Sequence, residues 1–324
     1  MRLLVTGAGG FVGGHLVSYL RREHPEVEIH GALLPQGGIS WGSGGGMRVI
    51  EADLNDPAAV RGLVDAVVPD RILHLAGQSS PQHSFLDPGG TLRTNVLGIV
   101  HVLDAARQLG LRPDVLVVGS AEEYGPARPE DIPLRETAPL RPSSPYAVSK
   151  VAQGALAVLY GPAGGMRVVL TRTFHHTGPG RGEAFAESSF ARQVAEIEAG
   201  LRPPVLKVGN LDAVRDFADV RDVVSAYWAL LEKGEAGAVY NVCTGRGRAI
   251  RELLELLLAA SQARVEVRVD PERLRPSDVP VQVGDPSRLK AATGWEPRIP
   301  IEQTLGDLLD DWRARLRAAS PAAR

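Results

Sequence analysis

Short apolar runs of strand length recur along the first half of the chain, near residues 3–6, 27–33, 47–50, 71–75, 114–118 and 166–171. Longer stretches with helical spacing of apolar positions separate them, near 11–22, 57–67, 91–109 and 145–160. Strand and helix periods in alternation predict parallel strands joined by crossover helices, an open doubly wound α/β sheet. Beyond about residue 175 the rhythm changes. Helical patterns near 185–199, 220–233, 249–261 and 301–317 are broken by short β-like runs and proline-rich turns, with Val239 to Val242 as a strand returning to the sheet. The pattern predicts a dinucleotide-type domain over 1–172, with returning segments near 211–245, and a smaller interleaved C-terminal lobe built from 173–210 and 246–318. Gln36 to Gly46 carries six glycines and reads as a surface loop. The tail past Ala318 is expected to fray.

Composition narrows the partners rather than the fold. A chain of 324 residues can bury about three quarters of its unfolded surface and needs no disulfide staples. The lone Cys243 excludes a disulfide framework and a multi-cysteine zinc site. With 36 basic against 38 acidic residues, the net charge of −2 leaves no electrostatic footprint for nucleic acid or an anionic membrane. No apolar run is long enough to span a bilayer, and no signal-peptide layout precedes Leu3, so a soluble cytoplasmic protein is expected. The adjacent His175 and His176 have no acid or cysteine cluster around them, so no metal is expected.

Candidate chemistry starts at the first strand-to-helix turn, Thr6-Gly7-Ala8-Gly9-Gly10-Phe11-Val12-Gly13. Gly7 allows the tight turn out of the strand, Gly10 lets a pyrophosphate approach the backbone, and Gly13 lets the helix pack close to the sheet. The helix N-terminus offers N–H groups and a positive dipole end to phosphates. The spacing is G-x-x-G-x-x-G, one position away from the common dinucleotide pattern. Asp53-Leu54 follows the third strand, where a carboxylate can accept from an adenine amino group or simply precede a helix. After the second strand, Glu28 to Leu34, there is neither an acid for a ribose 2′-hydroxyl nor an arginine for a 2′-phosphate, so NAD and NADP both stay open.

Tyr146 and Lys150 stand four residues apart on one face of a predicted helix opened by Ser144-Pro145. A phenol of ordinary pKa near 10 is a poor acid–base at neutral pH, and an adjacent ammonium is expected to lower it. Ser120, at the carboxyl end of the fifth strand, can donate to a substrate oxygen beside Tyr146. Glu122, two residues on, either projects into the same pocket or is a plain loop acid.

Gly7, Gly10 and Gly13 with Asp53-Leu54, His74-Leu75-Ala76-Gly77, Asn95, Ser120 and the Tyr146/Lys150 pair resemble the extended short-chain dehydrogenase/reductase family. The likeness continues through Arg172-Thr173-Phe174-His175-His176-Thr177-Gly178-Pro179-Gly180, Val208-Gly209-Asn210-Leu211-Asp212 and Arg215-Asp216-Phe217. It goes on through Val239 to Gly245, Leu274 to Pro280 and Thr293-Gly294-Trp295-Glu296-Pro297, and these downstream strings look most like its GDP-sugar branch. The resemblance implies a Rossmann-type doubly wound parallel sheet with a smaller interleaved C-terminal substrate-binding lobe. It implies NAD or NADP held by Gly7, Gly10, Phe11, Val12, Gly13, Asp53, Leu54, Leu75, Ala76, Gly77, Tyr146 and Lys150. It places Ser120, Glu122, Tyr146 and Lys150 in catalysis, with Tyr146 protonating an alkoxide at C4 of the sugar and Lys150 holding the nicotinamide ribose. It assigns a GDP-sugar to Gln78, His175, Lys207, Asn210, Arg215, Arg275 and Asp278, the two arginines on the pyrophosphate, Asp278 on a ribose hydroxyl, and Lys207 to Asn210 near the guanine. Many relatives carry Asn where this chain has His175.

The activity so implied is reduction of the C4 keto group of a GDP-4-dehydro-6-deoxy sugar. A 4,6-dehydratase, in which Glu122 would remove the C5 proton, and a nucleotide-sugar 4-epimerase are the competing enzymes, and a dinucleotide sensor is the non-enzymatic one. Members commonly pair through helices corresponding to 91–109 and 145–160, so a homodimer is expected. Only four of the 36 basic residues are lysines. A compact ammonium is therefore wanted at 150, where an arginine would not substitute.

Overall fold

The computed structural model describes residues 1–35, 46–273 and 279–319. Arg275, Asp278, the body of the glycine-rich loop and the last five residues lie outside the described residues. The first half alternates as the pattern predicts: β1 (Arg2–Thr6), α1 (Phe11–Glu23), β2 (Glu28–Leu33), β3 (Arg48–Glu51), α2 (Pro57–Val67), β4 (Arg71–His74), α3 (Pro81–Leu86), α4 (Pro88–Leu92), α5 (Gly98–Gln108), β5 (Asp114–Ser120), α6 (Pro145–Gly164) and β6 (Arg167–Thr173). The second half brings β7 (His175–Thr177), α7 (Ala186–Glu198), β8 (Val205–Val208), β9 (Val214–Asp219), α8 (Val220–Lys233), β10 (Val239–Val242), β11 (Gly247–Ala249), α9 (Ile250–Ala259), β12 (Glu266–Val269), β13 (Val281–Gln282), α10 (Ser287–Thr293) and α11 (Ile301–Ala319).

Helix boundaries follow local chemistry. α2 opens with Pro57 after Asp56, whose carboxylate accepts from Ala58 N at 2.9 Å and Ala59 N at 3.3 Å. α6 opens with Pro145 after Ser144, whose hydroxyl accepts from Ala147 N at 3.1 Å, and it ends on Gly165 in the left-handed region. The helix expected over 91–109 starts earlier and is interrupted: a π-helical turn, Arg93–Leu97, lies between α4 and α5 and carries the buried Asn95. Such turns insert one extra residue and re-aim a side chain.

Seven parallel strands form the large sheet in the order β10-β6-β5-β4-β1-β2-β3. Both faces are covered, so β1 has no polar side: Leu3 and Val5 join the core under α1 and α8, and Leu4 joins the core under α2 and α5. The order reverses between β1 and β4, which opens the ligand crevice at their carboxyl ends. Of the stretch 211–245, β10 joins this sheet and α8 covers it, whereas β9 pairs with β11, β13 and β7 in a separate small sheet. A third core, including Phe190, Val194, Leu206, Leu253, Leu305 and Trp312, fills the C-terminal lobe around α7, α9 and α11. Late segments also return: Leu289 of α10 and Trp295 pack into the core beneath α8.

Candidate active site

The turn after β1 has the shape a pyrophosphate needs. Gly7 has φ +72°, and a Cβ there would stand 2.8 Å from Ala76 N, so this turn and the loop after β4 touch across the crevice. A Cβ at Gly13 would lie 2.4 Å from Ala8 O, which shows how closely α1 packs on the turn. Gly10 is different. Its Cβ direction meets only Gly7 O at 3.3 Å, and as the N-cap of α1 it supplies no side-chain hydrogen bond to the helix. The first-turn N–H groups therefore face the place where an anion would sit.

The loop that crosses back from β7 caps this end. Pro179 O pairs with His15 Nε2 of α1 at 2.7 Å, and Gly180 N donates to Asp311 of α11 at 2.9 Å. Arg181 is thereby laid over the Phe11 ring at 5.0 Å and the Phe185 ring at 3.4 Å, with Glu187 3.7 Å away, and its buried Nε has no hydrogen-bond partner. His176 stacks parallel to Phe11 with its Nδ1 on Phe174 O, and burial draws its pKa down to about 4. A cationic side chain with an unused donor above a phosphate loop fits a dinucleotide, and sequence reasoning missed it. The only local signal is a lone arginine after Gly178-Pro179-Gly180.

At the floor of the crevice, Thr6 Oγ1 pairs with His74 Nδ1 at 2.8 Å and accepts from Ala76 N at 3.3 Å. Asn95 ties the next loop down: its Oδ1 accepts from Gln78 N at 2.7 Å, while its Nδ2 donates to Gln78 O and to Ser149 Oγ of α6. Gln78 is thus fixed through its backbone, and its side chain folds back onto Ser80 and Thr91. Asp53 accepts from the backbone and side chain of Asn55 at 2.9 Å, so it shapes a turn, and Asp56 rather than Asp53 caps α2.

Ser120, Tyr146 and Lys150 are all buried at the carboxyl edge of β5 and the start of α6. The Ser120 hydroxyl hydrogen-bonds Tyr146 and also accepts from Glu122 N at 3.2 Å. Lys150 Nζ donates to Val118 O at 2.9 Å and Gln153 Oε1 at 3.1 Å. The expectation that Lys150 lowers the phenol is corrected here. Burial pushes Tyr146 up to about 12, with Ser120 opposing and the Glu122 and Glu123 carboxylates adding to the rise. The ammonium is spent on Val118 and Gln153, and burial brings Lys150 itself down to about 8. Glu122 is close enough to act on Tyr146 electrostatically, so it belongs to the pocket rather than to a remote loop.

The substrate-side residues occupy the lobe. Lys207 on β8 pairs with Asp270 at 3.4 Å, the Asn210 side chain accepts from Asp212 N, and His175 on β7 packs against Phe217. Arg215 on β9 is buried with Nη1 donating to Val214 O at 2.9 Å. Among the described residues, no group of histidines, cysteines and acids could hold a metal.

A doubly wound sheet with a glycine turn at its switch point and a buried serine–tyrosine–lysine cluster beside it defines an extended short-chain dehydrogenase/reductase. Within that class, residues 4–308 match the model of the GDP-mannose 4,6 dehydratase family, and the chain belongs to this family. It is 41% identical over 316 residues to a GDP-6-deoxy-D-mannose reductase of Pseudomonas aeruginosa, covering 98% of each. Its structure is similar to that of RMD from Pseudomonas aeruginosa complexed with NADPH, with TM-score 0.87, 40% identity and 97% and 99% of the two chains covered. It is also similar to the Thermus thermophilus UDP-glucose 4-epimerase complex with NAD, with TM-score 0.85, 32% identity and coverage of 97% and 99%.

Proposed function

We propose that the protein reduces the C4 keto group of GDP-4-dehydro-6-deoxy-D-mannose with NADPH or NADH, giving GDP-D-rhamnose. The observation that carries this is the buried Ser120–Tyr146–Lys150 cluster beside the phosphate turn, in a chain with 41% identity to a GDP-6-deoxy-D-mannose reductase across 98% of its length. When bound, the nicotinamide cofactor supplies a hydride to C4. Gly7, Gly10 and Gly13 with the first turn of α1 would hold its pyrophosphate, Arg181 would supply a nearby positive charge, and Lys150 would donate to its ribose. Ser120 orients the C4 oxygen, and Tyr146 gives that oxygen its proton. A phenol kept protonated by burial is the right state for that step: the carbonyl gains one hydride and one proton, and Tyr146 recovers its proton from solvent.

Arg215 on β9, together with Lys207, Asn210 and His175, supports a GDP moiety lying along the lobe, with Arg275 and Asp278 assigned to it by resemblance. The exposed Leu92, Leu97, Val148 and Leu159 on α4, the π turn and α6 support a homodimer through this face. Among the described residues no helix is long and apolar enough to cross a membrane, which accords with a cytoplasmic enzyme. Adding GDP-4-dehydro-6-deoxy-D-mannose to protein with NADPH or with NADH is expected to oxidise one of the two cofactors and yield GDP-rhamnose; oxidation of neither would overturn the proposal. A second reading, the 4,6-dehydratase, draws on Glu122 beside Tyr146. It requires a 4-keto product from GDP-mannose without added reductant, and none is expected.

A further inference from the structure

Behind the crevice, between α6 and strands β5 and β6, lies a cavity of about 270 Å³. Its walls are mostly apolar, yet Lys150, Gln153, Glu123 and Arg172 all reach it. Glu123 is built in with care. One carboxylate oxygen accepts from Ser120 N at 2.9 Å and the other from Arg172 Nε at 2.9 Å, while both side chains are about a tenth exposed. The space for that carboxylate is made by Gly119, where a Cβ would stand 2.4 Å from Glu123 Oε1 and 2.3 Å from Thr171 O. Arg172 is fixed in turn by Glu136 O at 2.9 Å and by the Tyr124 hydroxyl at 3.2 Å. A buried ion pair is seldom a net source of stability, because desolvating two charges offsets their attraction. Its placement asks for another reason.

We propose that Glu123 is a positioning residue for the reaction: it holds the Ser120 backbone in place and sets its carboxylate on the wall of the cavity that the Lys150 ammonium also lines. This rests on the reading that Lys150 and Ser120 serve a nicotinamide-dependent step. The groups facing Lys150 are few. Glu123 comes from the turn after β5, Arg172 from β6, His74 from β4, and Tyr146 from its own helix. His74 is buried and neutral, with its pKa near 3, and Tyr146 is neutral. Burial brings Lys150 down to about 8, and the Glu123 carboxylate opposes that fall.

The test uses the full-length protein and NADPH fluorescence, so it does not depend on the sugar. NADPH affinity is measured against pH for the parent, for Glu123→Gln and for the double variant Glu123→Leu with Arg172→Leu. Gln keeps an acceptor for Ser120 N but removes the charge, whereas the double variant removes both buried charges together at the cost of the Ser120 N acceptor, and thermal unfolding shows which variants fold. The alkaline limb is expected to move down by about one pH unit or more in Glu123→Gln, and in the same direction but less in the double variant. An alkaline limb that stays in place in every variant that folds overturns the proposal. Failure of the parent to turn over GDP-4-dehydro-6-deoxy-D-mannose would overturn the substrate reading and leave this result standing.

Discussion

Gly10 and Gly13 lie three residues apart in one turn, and alanine at each should fail in different ways. At Gly13 the new Cβ would stand 2.4, 2.6 and 2.7 Å from O, C and Cα of Ala8. All three are backbone atoms, so relief requires α1 to lift off the turn. Overpacking of this kind costs about 1–3 kcal/mol, and the immovable neighbours argue for the upper end. Against that, alanine is better than glycine in a helix by about 1 kcal/mol. The net is a loss of about 2 kcal/mol, or a fall in Tm of about 3 °C for a chain of 324 residues, with NADPH binding weakened because the first-turn N–H groups move. At Gly10 the nearest protein atom is Gly7 O at 3.3 Å, a tight contact relieved by a shift of a few tenths of an ångström, and the backbone is extended, so alanine strains the free protein far less than at Gly13. The only cap penalty is under about 1 kcal/mol. Its methyl group instead occupies the approach to the phosphate cradle. Thermal unfolding and NADPH titration on the two variants separate the effects: Gly13→Ala should lose stability, and Gly10→Ala should keep its Tm within about 2 °C while losing cofactor affinity at least about tenfold. An unchanged Tm for Gly13→Ala, or normal NADPH binding by Gly10→Ala, would refute the assignment of these glycines.

Tyr146→Phe should lower kcat about 10²–10⁴-fold while leaving the NADPH dissociation constant unchanged, since the proton donor is lost but no phosphate contact is; steady-state turnover and fluorescence titration check the two halves. Arg181→Gln should weaken NADPH binding about tenfold and also lower Tm, because buried Glu187 loses its counter-charge and the Phe11 and Phe185 rings lose their stacked guanidinium; equal affinity would remove Arg181 from the cofactor site. His74 and His176 have folded pKa values of about 3 and about 4, below the ordinary 6.5, so the unfolded chain takes up protons first as pH falls. Stability should therefore drop between pH 6.5 and about 4, each imidazole contributing a slope of up to about 1.4 kcal/mol per pH unit, and urea unfolding of His74→Phe should show a shallower acid limb than the parent.

The large sheet was legible because each crossover helix carries its own amphipathic pattern and each buried parallel strand is apolar throughout; the six early strands and three of the four early helices fall where periodicity puts them, the one near 91–109 being broken by the π turn. What periodicity could not show is pairing between short segments far apart in sequence. β9 lies in the stretch near 211–245 expected to return to the dinucleotide-type domain, yet Asp216 in its middle accepts from Thr244 N, the Thr244 hydroxyl and Gly245 N, which ties it to the turn before β11 and so to the small sheet. The π turn was hidden for a related reason. Its cause is Asn95 reaching Gln78 on one side and Ser149 on the other, contacts that no spacing within 91–109 contains.

The catalytic cluster divides along the same line between position and charge. Four-residue spacing on α6 brings Tyr146 and Lys150 onto one face, and the end of β5 brings Ser120 beside them, so sequence locates the groups correctly. Their protonation is set by how completely the neighbours exclude water, and those neighbours arrive from elsewhere: Glu123 from the turn after β5, Arg172 from β6 and Arg181 from the loop after β7. Lys150 spends its donors on Val118 and Gln153, so the spacing that suggests an activated tyrosine coexists with a phenol held up near 12. For a reductase this is the useful state. A proton donor must keep its proton until the carbonyl oxygen becomes an alkoxide, and the buried phenol does so at any physiological pH. An enzyme that began by oxidising a sugar hydroxyl would need Tyr146 as a base, with its pKa brought down to near neutral. The Glu122 and Glu123 carboxylates add to the burial that keeps Tyr146 in that donor state.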